Sequence, residues 1–201
     1  MVRDTVPDTA SASAGAAGVL EFWFGAEGLR TPRDVWFRKD PAFDAEIRAR
    51  FGDLIEHALA GRLDHWEADG PESALALIIV LDQFTRNVFR DTPRMFAGDE
   101  RALAIARRLV ESGADRDLAP TQRWFAYLPF EHAESPAEQE RAVALFDDLR
   151  AYPESAGAYD WAVRHRDVIR RFGRFPHRND ILGRTSTAEE IAFLETPGSR
   201  F

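Results

Sequence analysis

The chain has no cysteine in 201 residues, which removes disulfides, thiolate metal sites and cysteine nucleophiles together and fits a reducing compartment. Lysine is nearly absent too: of 26 basic residues, 25 are arginine and one is Lys39. That lysine lies in Trp36-Phe37-Arg38-Lys39-Asp40 with no glycine loop ahead of it, so Schiff-base, pyridoxal-phosphate and Walker-type chemistry have no anchor. Long apolar runs are missing. The longest, Ala74 to Leu81, is eight residues, against the roughly 20 needed to cross a bilayer. Also absent are Gly-x-Gly-x-x-Gly, Gly-x-Ser-x-Gly, His-Glu-x-x-His and Glu-x-x-His, so dinucleotide, α/β-hydrolase, zincin and di-iron assignments lose their sequence support.

What is present suits one compact domain, with 45% hydrophobic and 30% charged residues. The start carries Ala-x-Ala triplets such as Ala10-Ser11-Ala12, but Asp4 and Asp8 interrupt the apolar stretch a signal peptide needs. The expectation is a disordered Ala/Ser-rich tail over 1–17, a single domain over 18–201 and a cytoplasmic location. The arginine excess fits codon bias as well as selection for the guanidinium fork, so it does not define an anion site by itself.

Helix punctuation recurs. Asp40-Pro41, Thr92-Pro93 and Ser135-Pro136 each pair a capping residue with a proline whose φ is preset for the first helical position. Ser135 with Glu138, and Ser186 with Glu189, have the spacing of a capping box. Apolar residues then recur at three and four: Phe43, Ile47, Phe51, Leu54 and Ala58 in one segment, Trp161, His165, Val168 and Phe172 in another. Leu75 to Leu81 is apolar on every side and predicts a central helix covered all round. No run alternates with period two, and Gly61, Gly70, Gly113 and Gly157 separate the segments. These features predict an all-α protein of about eight helices, packed as an irregular array of antiparallel hairpins. No 34-residue repeat emerges when the chain is aligned with itself.

Three segments could carry chemistry. In Leu81-Asp82-Gln83-Phe84-Thr85-Arg86-Asn87-Val88-Phe89-Arg90, spacing four puts Asp82, Arg86 and Arg90 on one face, with Gln83 and Asn87 beside them. Such groups are either a structural Asp–Arg strut or a guanidinium and an amide aimed into a pocket. In Tyr127-Leu128-Pro129-Phe130-Glu131-His132-Ala133-Glu134, Pro129 is expected to end or kink its helix and leave Glu131, His132 and Glu134 accessible at the helix end. A carboxylate beside a histidine suits proton transfer or a metal, and an exposed acidic pair is the plainer alternative.

The third segment, Arg164 to Arg184, holds seven Arg against Asp167 and Asp180, a local charge of +5 in a chain of net −8. That asymmetry calls for an anionic ligand or for docking on the protein's own acidic face. Gly173 and Pro176 bracket a helix end, placing Arg174, His177 and Arg178 on a turn. His165 falls on the apolar face and is expected to be a hydrogen-bonded core histidine. Phe172 and Phe175 among the arginines also suit nucleic acid, but the net charge of −8 opposes the long-range attraction such binding needs.

At these segments the chain resembles a bacterial family catalogued as domain of unknown function 924. The matching stretches are Val19 to Gly25, Trp36 to Asp44, Leu81 to Asp99, Tyr127 to Ser135 and Arg164 to Leu194, and the specific motifs are Asp82-Gln83-Phe84-x-Arg86-Asn87 and Gly173-Arg174-Phe175-Pro176-His177-Arg178-Asn179. Thr85 departs from the Pro common in the family, which implies a less kinked helix and a small shift of Arg86 and Asn87. The resemblance implies a tetratricopeptide-like stack of helical hairpins and brings no reaction with it.

The function expected from these residues is binding of an anionic small molecule in an inter-helix pocket. Asp82, Gln83, Arg86, Asn87, Arg174, Arg178, Asn179 and Arg184 would form the ligand-binding set, and Glu131, His132 and His177 would transfer protons. Two alternatives stand beside it: a tetratricopeptide-like scaffold binding a protein or peptide in an aromatic groove, and a metal-assisted hydrolase using Glu131, His132, Glu134 and His177. No metal ligand set and no cofactor is assigned, and no membrane partner is expected. The anion-site expectation requires the three segments to meet in space.

Overall fold

The structure is a computed structural model that describes residues 15–25 and 28–200. Among the described residues it has eight helices, no strand and 68% helix, about twice the usual one-third. In chain order these are α1 (Ala16–Phe24), α2 (Pro41–Leu59), a long helix running as α3 (Pro71–Ile78), a π-helical segment (Ile79–Phe84) and α4 (Thr85–Val88), then α5 (Asp99–Glu111), α6 (Pro120–His132), α7 (Pro136–Leu149), α8 (Ala158–Phe172) and α9 (Ala188–Leu194). Short 3₁₀ turns at Pro93–Phe96 and Pro176–Arg178 complete the parts that matter for the site. Of the tail expected over 1–17, residues 1–14 lie outside the described residues, while Ala16 and Ala17 already belong to α1. No described helix is long and apolar enough to cross a membrane.

The expected punctuation forms α2 as read: Asp40 accepts from the backbone N–H of Ala42 at 3.0 Å and of Phe43 at 3.2 Å, satisfying donors that a helix start leaves open. The buried stripe is Phe43, Ile47, Phe51, Ile55 and Ala58, with Leu54 only partly covered. Other details differ from the expectations. Ser135 makes no side-chain cap, and Glu138 pairs instead with Arg107 on α5, at 2.7 Å. At α9 the capping box is Thr187 with Glu190, one residue later than Ser186 with Glu189. Pro129 does not end α6, which runs three residues further to His132. Phe125 to Glu131 are all buried, and packing on that scale outweighs the roughly 3 kcal/mol that an interior proline costs.

The main core gathers aromatic rings from α1, α2, the π segment and α6. Trp23 lies edge-on to Phe125 at 5.5 Å and stacks with Trp36 at 6.1 Å, and the Trp36 indole N–H donates to the Trp23 carbonyl at 2.9 Å. Leu75 to Leu81 is fully buried, as its all-round apolar character requires. A second, smaller cluster holds Val168, Ile169 and Phe175, with Phe172 and Phe193 packed on it. Trp161, placed on the apolar face of α8 by its spacing, is instead 45% exposed under the guanidinium of Arg164, and Ala158, Ala162 and His165 take the inner face.

Candidate functional site

The polar residues of the three segments meet at the seam between these two apolar clusters. The π segment supplies Asp82. Its carboxylate is fixed from three sides: Gln83 donates to Oδ2 at 2.5 Å, Arg86 lies 2.9 Å from Oδ1, and His132 Nδ1 lies 2.8 Å from the same oxygen. A π turn is a frequent local device at functional sites because it re-aims side chains within a continuous helix. Here it leaves Leu81 O to accept from the Thr85 hydroxyl at 2.8 Å, so the threonine that departs from the family pattern caps a carbonyl of the widened turn. Arg90, expected on the same face as Arg86, turns away with Asn87. Asn87 donates to Asp44 at 2.7 Å and Arg90 forks onto the same carboxylate at 2.9 and 3.0 Å, a strut to α2 outside the seam.

Arg86 is saturated. It forks onto Asp99, the first residue of α5, at 2.8 and 3.0 Å, and also donates to the Asp82 carbonyl at 2.6 Å. The two elements approach closely at Gly98, where an added Cβ would stand 2.1 Å from Leu81 O. Asp99 was not among the expected site residues, because an acidic residue in a first helical turn is ordinary dipole complementarity.

Glu131 is not accessible as expected but buried, since α6 continues past Pro129. Its Oε1 lies 3.2 Å from His165 Nδ1, and its Oε2 has no partner among the described residues. His165 is the core histidine expected, with Nδ1 2.9 Å from the Trp161 carbonyl and its ring edge-on to Phe175 at 5.5 Å. The His132 and His165 rings are 6.3 Å apart, and His177 lies 5.7 Å from Phe175.

Burial drives the electrostatics. It opposes ionisation of Asp82, but Arg86 and then His132 outweigh it and hold this carboxyl well below the ordinary range. Burial, with the Asp82 charge, pushes Glu131 up to about 8, so it is neutral at pH 7. Burial also lowers His132, against the attraction of Asp82, and takes His165 and His177 down to about 3. With Asp82 ionised and His132 neutral, Nδ1 must carry the proton it shares with Asp82.

The C-terminal arginines divide into two kinds. Arg174 forks onto Glu190 at 2.7 and 2.8 Å and donates to the Thr185 carbonyl at 2.9 Å. That partner holds Glu190 down to about 2. Arg184 forks onto Glu134 at 2.6 and 2.9 Å and donates to the Asn179 carboxamide oxygen at 3.0 Å, while Glu134 accepts from the Phe175 N–H at 2.8 Å. Asn179, fully buried, also donates to Ser186 at 3.0 Å. Arg174, Asn179 and Arg184, all counted as ligand contacts from sequence, thus have the protein itself as partner. Arg170 and Arg171 likewise pair with Glu140 and Glu189, so most of the local +5 docks on the protein's own acidic groups.

Arg178 is different. Its side chain is 9% exposed, and its guanidinium lies between the rings of Phe175 at 4.5 Å and Phe96 at 4.8 Å. The ion pair it makes with Asp99 Oδ2 is 3.7 Å long, beyond hydrogen-bond range, and its buried Nε has no partner among the described residues. Burial and then the charge of Arg86 lower it to about 10, which still leaves it a cation at neutral pH.

Among the described residues no three His, Asp or Glu side chains are grouped so as to hold a metal ion. Two surface clefts lie away from the seam, one of about 320 Å³ lined by Arg33, Phe37, Arg38 and Trp124, and one of about 300 Å³ lined by Glu67, Ile105 and Arg108.

An all-α chain carrying this buried ionic seam belongs to the family described as bacterial protein of unknown function (DUF924), whose model matches residues 19–198. The chain is similar to a solved structure of a protein of unknown function from Agrobacterium tumefaciens, at 44% identity over 94% of this chain and 99% of that one, with a TM-score of 0.79. No curated protein matches the chain.

Proposed function

We propose that the protein binds a small oxyanion, a carboxylate or phosphate group, at the seam between its two apolar clusters, with Arg178 as the receiving cation. The observation that carries this is the state of Arg178: a nine-tenths-buried guanidinium whose nearest carboxylate is 3.7 Å away and whose Nε is unpartnered among the described residues. Buried charges are normally paired and hydrogen-bonded, because desolvation costs several kcal/mol per ion. A planar fork stacked between two rings offers its edge to two oxygens of one ligand. Arg86 shares Asp99 with Arg178 and Asp82 with His132, whereas Arg174, Asn179 and Arg184 serve as struts around the turn that carries Arg178, and Asn87 ties the long helix to α2.

The rival scaffold function draws its support from elsewhere, the exposed Phe37 stacked on Trp124 at 5.1 Å in the cleft with Arg33 and Arg38. A thermal-shift panel of sulfate, phosphate and small carboxylates separates the two. A ligand at 100 times its Kd stabilises by about 2.7 kcal/mol, which for a domain of this size is a rise of about 5–10 °C. The expected result is a saturable rise with at least one oxyanion that is lost in Arg178→Met. No shift with any of them, or an equal shift in Arg178→Met, overturns the proposal.

A further inference from the structure

We propose that Asp82 and His132 form a general acid–base dyad on the edge of the oxyanion site, so that the ligand is taken up together with one proton carried on His132 Nε2. This rests on the anion-site proposal above and adds to it an activity, proton exchange with the bound ligand.

The geometry that supports it begins with the carboxylate. Asp82 is 1% exposed and clamped by Gln83 and Arg86, so the imidazole that it holds at 2.8 Å is fixed in direction as well as in tautomer. That arrangement, a buried carboxylate orienting the inner nitrogen of a histidine, makes the outer nitrogen a base and stabilises the imidazolium once it forms. His132 keeps a solvent-facing part, with its side chain 15% exposed, and Nε2 makes no hydrogen bond among the described residues; His177 is partly exposed as well, but Asp82 orients only His132. His165 Nδ1, in contrast, is committed to Trp161 and Glu131.

The groups facing His132 come from every element around it: Asp82 and Arg86 on the long helix, Asp99 on α5, Glu131 on its own helix, His165 on α8, and His177 and Arg178 on the C-terminal turn. Two carboxylates and two guanidinium groups cancel, and Glu131 and the other histidines are neutral, so burial decides and keeps His132 uncharged without a bound anion. A dianion at Arg178 breaks that balance. The proton then comes from solvent onto Nε2, Asp82 stays ionised, and the Nδ1–H bond to Asp82 is retained. The imidazolium N–H can pass its proton to an oxygen of the ligand, and the neutral ring can take one from a ligand hydroxyl, with only N–H and O–H bonds exchanged. The ligand class is an oxyanion with a neighbouring exchangeable proton, such as a phosphate monoester or a hydroxycarboxylate.

Sulfate is the probe, since it does not itself titrate near neutrality. Calorimetric titrations of the full chain at about neutral pH, in buffers of different ionisation enthalpy, are expected to show uptake approaching one proton per sulfate. The sulfate Kd should rise up to about tenfold per pH unit once His132 is neutral. His132→Asn keeps an amide donor toward Asp82 but cannot titrate, and is expected to bind sulfate with no proton uptake and a Kd flat in pH. Sulfate binding without uptake in the native protein, or equal uptake in His132→Asn, overturns the dyad while leaving the anion site standing. Absence of sulfate binding overturns both. Nitrogen NMR of the imidazole rings needs no variant: the expected free state is the Nδ1–H tautomer with bare Nε2, protonated on saturation with sulfate, and an Nε2–H tautomer in the free protein overturns the dyad.

Discussion

Arg86 and Arg178 share one carboxylate, Asp99, yet their removal should have opposite energetic character. Arg86→Met deletes the fork onto Asp99 at 2.8 and 3.0 Å and the contact with Asp82 at 2.9 Å, leaving the buried Asp82 without its guanidinium and the half-buried Asp99 with only the 3.7 Å contact to Arg178. Breaking a buried pair from one side costs about 3–5 kcal/mol. At about 2–4 °C per kcal/mol for a chain of this length, that is a fall in Tm on the order of 10 °C. Arg178→Met deletes no hydrogen bond, leaves Asp99 with Arg86, and replaces an incompletely paired cation between Phe96 and Phe175 by an apolar chain of similar length. The lost cation–π attraction, about 0.5–2 kcal/mol, is set against relief of the desolvation cost, so the net change is expected to stay within about 1 kcal/mol of zero. Urea unfolding followed by circular dichroism and by tryptophan fluorescence measures both variants and checks that the two signals coincide. A cost for Arg178→Met equal to that of Arg86→Met would refute the reasoning, because Arg178 would then be one more strut and the anion site would lose its carrying observation.

Two further outcomes follow from the same seam. Glu131, with its ordinary value of 4.5 raised to about 8 in the fold, binds a proton in the folded state that the unfolded chain releases, so its contribution is fully present below about pH 4.5 and is lost as pH rises through 8. The slope is about 1.4 kcal/mol per pH unit inside that window. Glu131→Gln should therefore match the native protein at low pH and exceed its urea midpoint at pH 8; parallel curves for the two would sink the argument. Gly98→Ala places a methyl group 2.1 Å from Leu81 O, so α5 must move off the π segment and carry Asp99 away from Arg86. A loss of at least about 3 kcal/mol is expected, and a fully stable variant would mean the two elements do not meet as described.

The all-α architecture was legible because its signals are local. Asp40-Pro41 states the start of α2, and the three-four spacing of Phe43, Ile47 and Phe51 states its inner face. Where two adjacent residues carry the same local signal, the register slips: Ser186 and Thr187 can both cap, Glu189 and Glu190 can both close the box, and the structure uses the second of each. Each polar segment was visible as well, but their meeting was not. Asp82 and His132 are 50 residues apart, as are Glu134 and Arg184, and nothing local specifies which acid stands opposite which base. For the same reason Arg86 and Asn87, neighbours in one motif, go to different carboxylates, Asp99 and Asp44. The π widening that turns Asp82 toward α6 has no sequence signature in a run of apolar residues.

The fates of three arginines within eleven residues tie the fold to the site. Arg174 and Arg184 are saturated by Glu190 and Glu134, and these pairs tie the chain on both sides of the Pro176–Arg178 turn to α9 and to the end of α6. The Phe175 N–H and carbonyl join the second pair, through Glu134 at 2.8 Å and Arg184 at 3.1 Å. The turn between them is thereby held against the main core whatever Arg178 itself contributes. A guanidinium on a free loop would swing out to water rather than lie nine-tenths buried beside another cation. Two bidentate struts remove that freedom, and this is what allows an incompletely paired charge to persist in the seam. The local excess of arginine is therefore not a diffuse basic patch: Arg170, Arg171, Arg174 and Arg184 pair with the protein's own carboxylates, and the last two of these pairs flank the turn that carries Arg178.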